Sequence, residues 1–238
     1  MKNIIDLDFD FRIDSNGKDP DIHSPTLKQY HCLFWRKNLP NGTFFNINPC
    51  NAPSYLSFNS LGEILVLGSD AIAHSYKNQK RKAWIVEQIP EQVDILFDAA
   101  CKMQGYLLFP NKKIDGKHTI NQCRGINKYI DDRFDLTLEC IRRFYLNISS
   151  PLFETLHRYK AFFELFDDIH GYIDFFLLQD MIHSKTGEIK FYLPFDEFQS
   201  TSKFNSIDEY QTYKENVLEF LSDRSKRMHD YASKNRIG

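Results

Sequence analysis

Residues 119–145 read TINQCRGINKYIDDRFDLTLECIRRFY and contain the most strongly patterned segment of the chain. In the helix that this segment predicts, at about 100° per residue, one arc is apolar and the opposite arc is charged. The apolar arc contains Phe134, Thr137, Leu138, Ile141, Phe144 and Tyr145. The charged arc contains Asp132, Asp135, Glu139 and Arg143, with Arg142 beside it. We expect Asp131 or Asp132 to cap this helix, because a carboxylate accepts hydrogen bonds from the free N–H groups of a helix start.

The charged arc has two interpretations. In the first, Asp132, Asp135 and Glu139 line up as hard oxygen ligands for a metal ion or as an acid–base cluster, and two arginines hold an anion. In the second, the arc is a solvated surface on which Glu139 pairs with Arg143 at i,i+4 spacing. Most charged helix faces are solvated, so the sequence favours the second interpretation.

A turn is predicted at Arg124-Gly125, just before this helix. Glycine permits backbone conformations with φ > 0 and lets a ligand approach the main chain. A guanidinium beside it is suited to clamp a phosphate or carboxylate. Asn121, Arg124, Arg142 and Arg143 therefore form a predicted anion-binding site. The alternative is an ordinary turn with a surface arginine.

Composition indicates a globular protein without a strong charge bias. Of 238 residues, 42% are hydrophobic and 26% charged, and the net charge of −2 gives no strong nucleic-acid signal. The five cysteines form no C-x-x-C pair and their number is odd, which favours reduced thiols in a cytoplasm. We expect neither a signal peptide at MKNIIDLDFDFR nor a membrane-spanning segment.

Alternating apolar residues and turn signals predict a mostly antiparallel sheet in the N-terminal half. The predicted strands are 7–11, 43–47, 54–58, 63–67, 83–87, a hairpin of 106–109 with 117–121, and a later strand at 188–193.

Serine or proline marks the predicted helix starts at Ser24-Pro25, Pro90, Ser150-Pro151 and Ser206. His31 lies on the apolar arc of the first of these helices, and we interpret it as a core histidine with satisfied hydrogen bonds. Residues 172–182 are apolar nearly all round, which places Asp174 and Asp180 near the core, where carboxylates need partners. The tail 224–236 is basic and is expected to fray.

The common nucleotide, esterase and metalloprotease motifs are absent, and two weaker matches remain. Asp180 followed by Glu188-Ile189-Lys190 resembles the arrangement of restriction-endonuclease-like nucleases, in which two acids bind Mg²⁺ and the lysine supports attack by water. Arg224 and His229 match the R-x4-H motif of helical HEPN ribonucleases. Both patterns arise often by chance.

Four blocks carry a broader resemblance: residues 24–42 (SPTLKQYHCLFWRKNLPNG), residues 119–145, residues 150–182 (SPLFETLHRYKAFFELFDDIHGYIDFFLLQDMI) and residues 191–195 (FYLPF). They resemble a family of uncharacterised bacterial proteins, and the resemblance covers most of the chain. It implies a bacterial, cytoplasmic, single-domain protein. It brings no activity and no catalytic residue with it.

We therefore predict one α+β domain over 1–238, with a mostly antiparallel N-terminal sheet packed against a helix-rich C-terminal half. The predicted function is binding of an anionic small molecule or another protein near 119–145. The alternative is a metal-dependent phosphodiester hydrolase that uses clustered carboxylates. Its metal ligands would be Asp132, Asp135 and Glu139, or its catalytic residues Asp180, Glu188 and Lys190. Mg²⁺ is expected under this alternative alone.

Overall fold

The computed structural model of the protein describes residues 5–49, 56–60 and 62–237. A four-stranded antiparallel sheet with the strand order β1-β2-β3-β4 lies in the N-terminal half. Its register places Leu56 opposite Leu67, and Ala71 opposite Tyr106. The strands are β1 (Asn48–Pro49), β2 (Leu56–Ser60), β3 (Glu63–Ala71) and β4 (Tyr106–Pro110).

Helices occupy most of the rest of the described chain, and the predicted α+β class is confirmed. The helices are α1 (Pro20–His23), α2 (Pro25–Trp35), α3 (Ala83–Gln88), α4 (Pro90–Ala100), α5 (Ile120–Ile126), α6 (Phe134–Tyr145), α7 (Phe153–Arg158), α8 (Lys160–Phe163), α9 (Ile169–Phe175) and α10 (Ile207–Asn235). No helix in the described ranges is both long enough and apolar enough to cross a membrane.

Local capping explains where several helices begin. Ser24 Oγ accepts from Leu27 N at 3.0 Å at the start of α2, and Ser206 Oγ accepts from Glu209 N at 3.1 Å at the start of α10. Each bond satisfies one of the backbone donors that a helix start leaves free. The predicted starts of α2 and α10 are therefore confirmed, and α4 begins at Pro90 as predicted.

Buried apolar side chains from Leu7 to Met228 form one contiguous core. The sheet, α6 and α10 all contribute to it, and α10 lies against α3 and α4. Aromatic rings are packed closely at its centre, where Phe166 contacts Tyr172, Phe175 and Phe176 with ring centroids 5.1–5.3 Å apart.

Several predicted strands are wrong in the structure. Residues 7–11 form turns, because Asp6 Oδ1 accepts from Asp8 N at 3.0 Å and Asp10 pairs with Arg12. Residues 83–87 belong to α3. The predicted strands at 43–47 and 188–193 are each represented by an isolated bridge. Residues 54 and 55 lie outside the described ranges.

The predicted hairpin between 106–109 and 117–121 is also wrong. β4 pairs with β3, and Thr119 forms a capping box with Gln122 that begins α5. Gly125 consequently lies inside α5 rather than in a turn. The tail does not fray at Arg224, since α10 continues to Asn235.

Candidate functional site

The charged arc of α6 is buried, so its interpretation as a solvated face is wrong. Asp132 is 7% exposed, Asp135 0% and Glu139 2%. Asp135 pairs with Arg133 at 2.5 Å and accepts a hydrogen bond from Tyr192 N at 2.9 Å. This acid therefore ties α6 to the segment that precedes α10.

Glu139 is the shared partner of the two arginines that were predicted to hold an anion. It accepts from Arg142 at 2.7 and 2.9 Å and from Arg143 at 2.8 Å. Arg143 also pairs with Glu197. Both guanidiniums are thus already neutralised by carboxylates of the chain.

Arg124 is an internal residue rather than a surface clamp. It is 0% exposed, and its guanidinium contacts Asp70 at 2.7 Å and Thr137 Oγ1 at 3.0 Å. Asn121 is exposed on α5. The predicted anion-binding set is therefore divided between two carboxylates: Arg124 bonds to Asp70, and Arg142 and Arg143 converge on Glu139.

Asp131 and Asp132 form a left-handed turn instead of a helix cap. Their φ angles are 49° and 63°, and α6 begins after them at Phe134 with Arg133 at the cap position. Asp131 pairs with Lys82 at 2.5 Å. The hydroxyl of Tyr76, itself at φ 63°, donates to the Asp131 carbonyl at 2.9 Å. Such conformations cost about 1 kcal/mol or more per residue and persist where surrounding contacts hold them.

The nuclease-like residues do not converge on one metal site. Asp180 pairs with Arg227 at 2.6 Å, and Glu188 accepts from Thr186 Oγ1 at 3.0 Å. Lys190 is exposed next to the isolated bridge at Ile189. Across 5–49, 56–60 and 62–237, no three His, Cys, Asp or Glu side chains are grouped so that they could hold a metal ion.

Asp174 and Asp180 were predicted to lie near the core, and Asp174 is instead exposed. Asp180 is half-buried and paired as expected. The two residues of the R-x4-H motif also separate, because Arg224 is 0% exposed whereas His229 is exposed and bonds to Ser225 of its own helix. They therefore share no site.

A pocket of about 500 Å³ opens between the N-terminal segment, the loop after β3 and the end of α4. Its volume lies within the range of small-molecule sites. We call it the Asp21 pocket. Its lining includes Arg12, Lys18, Asp19 and Asp21, then His74, Ser75, Tyr76, Lys77 and Gln79, and finally Phe97, Cys101 and Tyr106.

Asp21 is the unusual residue of this pocket. Its Oδ2 accepts from Ala71 N at 3.3 Å, whereas its Oδ1 is buried and has no hydrogen-bond partner among the described residues. Burial raises the pKa of Asp21 well above its ordinary value, and the nearby charges of Asp70 and Asp19 raise it further. The Ser69 hydroxyl and the Ala71 N–H, which point donors at the carboxylate, lower the pKa, although the Ser69 hydroxyl does not reach hydrogen-bond geometry at Oδ1.

Asp70 lies behind the pocket and is 2% exposed. Burial raises the pKa of Asp70 to about 7, although the Arg124 guanidinium opposes this shift. Asp21 has no cationic side chain within ion-pair distance in the described part of the chain. We therefore assign the proton that this acidic cluster retains near neutral pH to Asp21, because the direct contact with Arg124 favours an ionised Asp70.

A buried hydrogen-bond chain lies next to Asp21, since His31 and Ser69 line a small cavity together with it. His31 is 1% exposed; its Nδ1 accepts from Trp35 Nε1 at 3.0 Å and its Nε2 donates to Ser69 Oγ at 2.9 Å. Burial lowers the pKa of His31 to about 3, so the ring is neutral. The interpretation of His31 as a satisfied core histidine is confirmed.

Sequence reasoning missed Asp21. The signal for its local structure was present, since Asp19 caps α1 through Asp21 N at 3.1 Å and Pro20 occupies the first helical position. The burial of Oδ1 follows from β3, some 50 residues later in the chain. No local pattern reports such a contact.

The raised pKa of Asp21 has a testable effect on stability. The folded protein holds this proton more tightly than the unfolded chain does, so the contribution of Asp21 to stability is greatest below its ordinary pKa and is lost as pH rises toward the folded-state pKa. Asparagine does not titrate. We expect the stability of Asp21→Asn relative to wild type to increase from mildly acidic to mildly alkaline pH. The increase is at most about 1.4 kcal/mol for each unit by which folding raises the pKa of Asp21.

Urea unfolding across this pH range measures the difference. Asp115→Asn is the matched control, because Asp115 is exposed and asparagine also accepts its left-handed backbone, with φ at 50°. Its stability relative to wild type is expected to stay constant with pH. Parallel pH profiles for wild type and Asp21→Asn would contradict the assignment of the proton.

The fold and the site together define an α+β protein in which a buried ion-pair network lies behind an open pocket. The chain belongs to DUF6994, a family of unknown function, whose model matches residues 5–228. This confirms the family resemblance of the sequence over most of its length. Searches of curated proteins and of solved structures found no match.

Proposed function

We propose that the protein binds a small organic molecule in the Asp21 pocket, and that this ligand carries an amine or another cationic hydrogen-bond donor. The observation that carries the proposal is that Asp21, whose buried Oδ1 has no hydrogen-bond partner among the described residues, lines a pocket of about 500 Å³. A buried polar atom without a hydrogen-bond partner costs about 1–3 kcal/mol. A ligand that supplies the donor recovers this free energy.

Two of the three cationic residues that line the pocket are already paired with carboxylates, and the third, Lys18, is exposed beside Asp19. Arg12 pairs with Asp98 at 2.8 Å as well as with Asp10, and Lys77 pairs with Asp94 at 2.7 Å. These rim cations are therefore neutralised. An ammonium group that reaches Asp21 displaces its proton and forms a charge-assisted hydrogen bond, which is stronger than a neutral one.

The remainder of the ligand is expected to be apolar or aromatic. Tyr76, Phe97 and Tyr106 line the same pocket. The Phe97 ring already attracts two cations of the chain, since Arg12 lies 4.9 Å and Lys77 5.1 Å from its centroid. Rings of this kind contribute apolar area and attract cations through their faces.

The anionic-ligand site and the hydrolase stay predictions from the sequence. In the structure the guanidiniums of Arg124, Arg142 and Arg143 each bond to a carboxylate. Our proposal retains the binding function of the first prediction, but it places the ligand in the Asp21 pocket and gives the ligand a positive charge.

We also infer that the chain acts as one domain in the reducing cytoplasm, and the single contiguous core supports the first part of this inference. The cysteines Cys32, Cys101, Cys123 and Cys140 are free, which supports the second. Cys50 lies outside the described residues.

A thermal-shift panel followed by calorimetry tests the binding proposal. It compares primary amines, polyamines and aromatic amidines with carboxylates and phosphates of similar size. We expect cationic compounds to stabilise the protein, and a ligand at 100-fold its Kd to add about 2.7 kcal/mol. Asp21→Asn is expected to weaken the best ligand at least tenfold, about 1.4 kcal/mol, while Asp115→Asn leaves its affinity unchanged.

Affinity is expected to rise with pH, because the ligand requires an ionised Asp21 whose pKa is raised in the free protein. The proposal fails if anions alone stabilise the protein, or if the best cation binds Asp21→Asn as tightly as wild type.

A further inference from the structure

Lys37, two residues after the end of α2, lies among three aromatic rings. Its Nζ is 4.6 Å from the ring centroids of Phe175 and Tyr231 and 5.2 Å from that of Trp35. The rings come from α9, α10 and the end of α2. We call these three rings the aromatic cage.

The aromatic rings around Nζ attract a positive charge through their faces but offer its N–H groups no hydrogen-bond acceptor. Among the described residues, no carboxylate forms an ion pair with Lys37, and no oxygen accepts a hydrogen bond from its Nζ. An ordinary ammonium has three N–H donors and is strongly hydrated, so it is poorly matched to such a site. A methylated ammonium has fewer donors, is more weakly hydrated and is the type of cation that aromatic cages recognise.

The amine is also prepared to react as a nucleophile. Burial lowers the pKa of Lys37 to about 7, the charge of Arg224 lowers it as well, and Asp174 raises it. Burial therefore favours the neutral amine, which is the form that carries a free lone pair. Lys37 is half-buried and its neighbours Arg36 and Asn38 are exposed, so this segment of the chain lies at the surface.

We propose that Lys37 is a site of N-methylation and that the aromatic cage holds the resulting methylammonium group. In the reaction, the amine lone pair attacks the methyl carbon of a sulfonium methyl donor bound to a partner methyltransferase. An ammonium at Lys37 first loses one proton to solvent; the N–C bond then forms as the S–C bond breaks, the sulfonium becomes a neutral thioether, and the nitrogen takes up the positive charge as a methylammonium. The ε-amine of Lys37 supplies the nucleophile and the cage stabilises the product.

Peptide mapping by mass spectrometry of the protein isolated from its own cells is the first test. We expect the peptide that contains Lys37 to carry one to three methyl groups, and the exposed Lys113 to be unmodified. Complete sequence coverage with an unmodified Lys37 overturns the proposal.

The second test examines the cage without the transferase. Dimethyl-lysine is encoded genetically at position 37 and, as the matched control, at position 113. We expect the modification at 37 to raise Tm by about 2–4 °C, the shift that a small gain in stability produces in a protein of this size. The modification at 113 is expected to leave Tm unchanged, and Tyr231→Leu is expected to abolish the rise at 37. An unchanged or lower Tm for the protein modified at 37 contradicts the role of the cage.

Discussion

Replacement of Arg224 by alanine is expected to destabilise the protein by about 3–5 kcal/mol, because it removes a buried donor group and leaves its acceptors unpaired. Arg224 is 0% exposed. Its guanidinium donates to the carbonyls of Gln104 at 2.7 Å, Tyr106 at 3.1 Å and Phe176 at 3.1 Å. It thus connects α10 to the start of β4 and to the end of α9.

Urea unfolding followed by circular dichroism measures this loss. Arg227→Ala provides the control three residues further along α10, where the side chain is about one-third exposed and pairs with Asp180. A partly exposed ion pair contributes about 1 kcal/mol or less, so this variant is expected to remain close to wild type. If both variants lose the same small amount of stability, Arg224 is not the structural connection described here.

The second large effect is expected at the buried pair of Asp70 and Arg124. Asp70→Ala leaves the Arg124 charge at 0% exposure without its carboxylate, which lies at 2.7 Å in wild type. Removal of one partner of a buried ion pair typically costs about 3–5 kcal/mol. We expect a loss of this size in the free energy of unfolding.

The double variant Asp70→Leu with Arg124→Met separates the charge effect from the packing effect. Apolar replacement of a whole buried pair is often neutral, so the double variant is expected to be more stable than Asp70→Ala. Urea unfolding of all the variants gives the comparison. A double variant that is less stable than Asp70→Ala would show that packing by the two side chains, rather than their charges, dominates at this position.

The two arcs of α6 show how far the sequence could predict this fold. Periodicity correctly separates apolar from charged side chains, because it follows from the helical repeat alone. It does not report what covers each arc. Asp135 and Glu139 are buried because neighbouring arginines and the segment at Tyr192 lie over them. The charged arc is therefore a second packing surface.

The helix starts were predictable because they depend on local contacts: Ser24 and Ser206 each accept a hydrogen bond from a backbone N–H three residues later. The short strands were not, because an alternation of about five residues also fits turns in which aspartates bond to nearby backbone groups. The candidate site was the least predictable part of the molecule. Its acid lies in α1 and its carboxylate bonds to the backbone of β3, so its chemistry appears when distant segments meet.

The left-handed turn at Asp131 and Asp132 also has a consequence for the order of folding. Its backbone is unfavourable in isolation, and the contacts that compensate for it come from Tyr76 and Lys82, about 50 residues away in the chain. The chain must first lose the conformational entropy of closing a loop of this length before those contacts can stabilise the turn. We therefore expect the turn to become stable late, after α3 and the loop beyond β3 have docked. Since Tyr76 also lines the Asp21 pocket, this wall of the pocket is completed in the same late step.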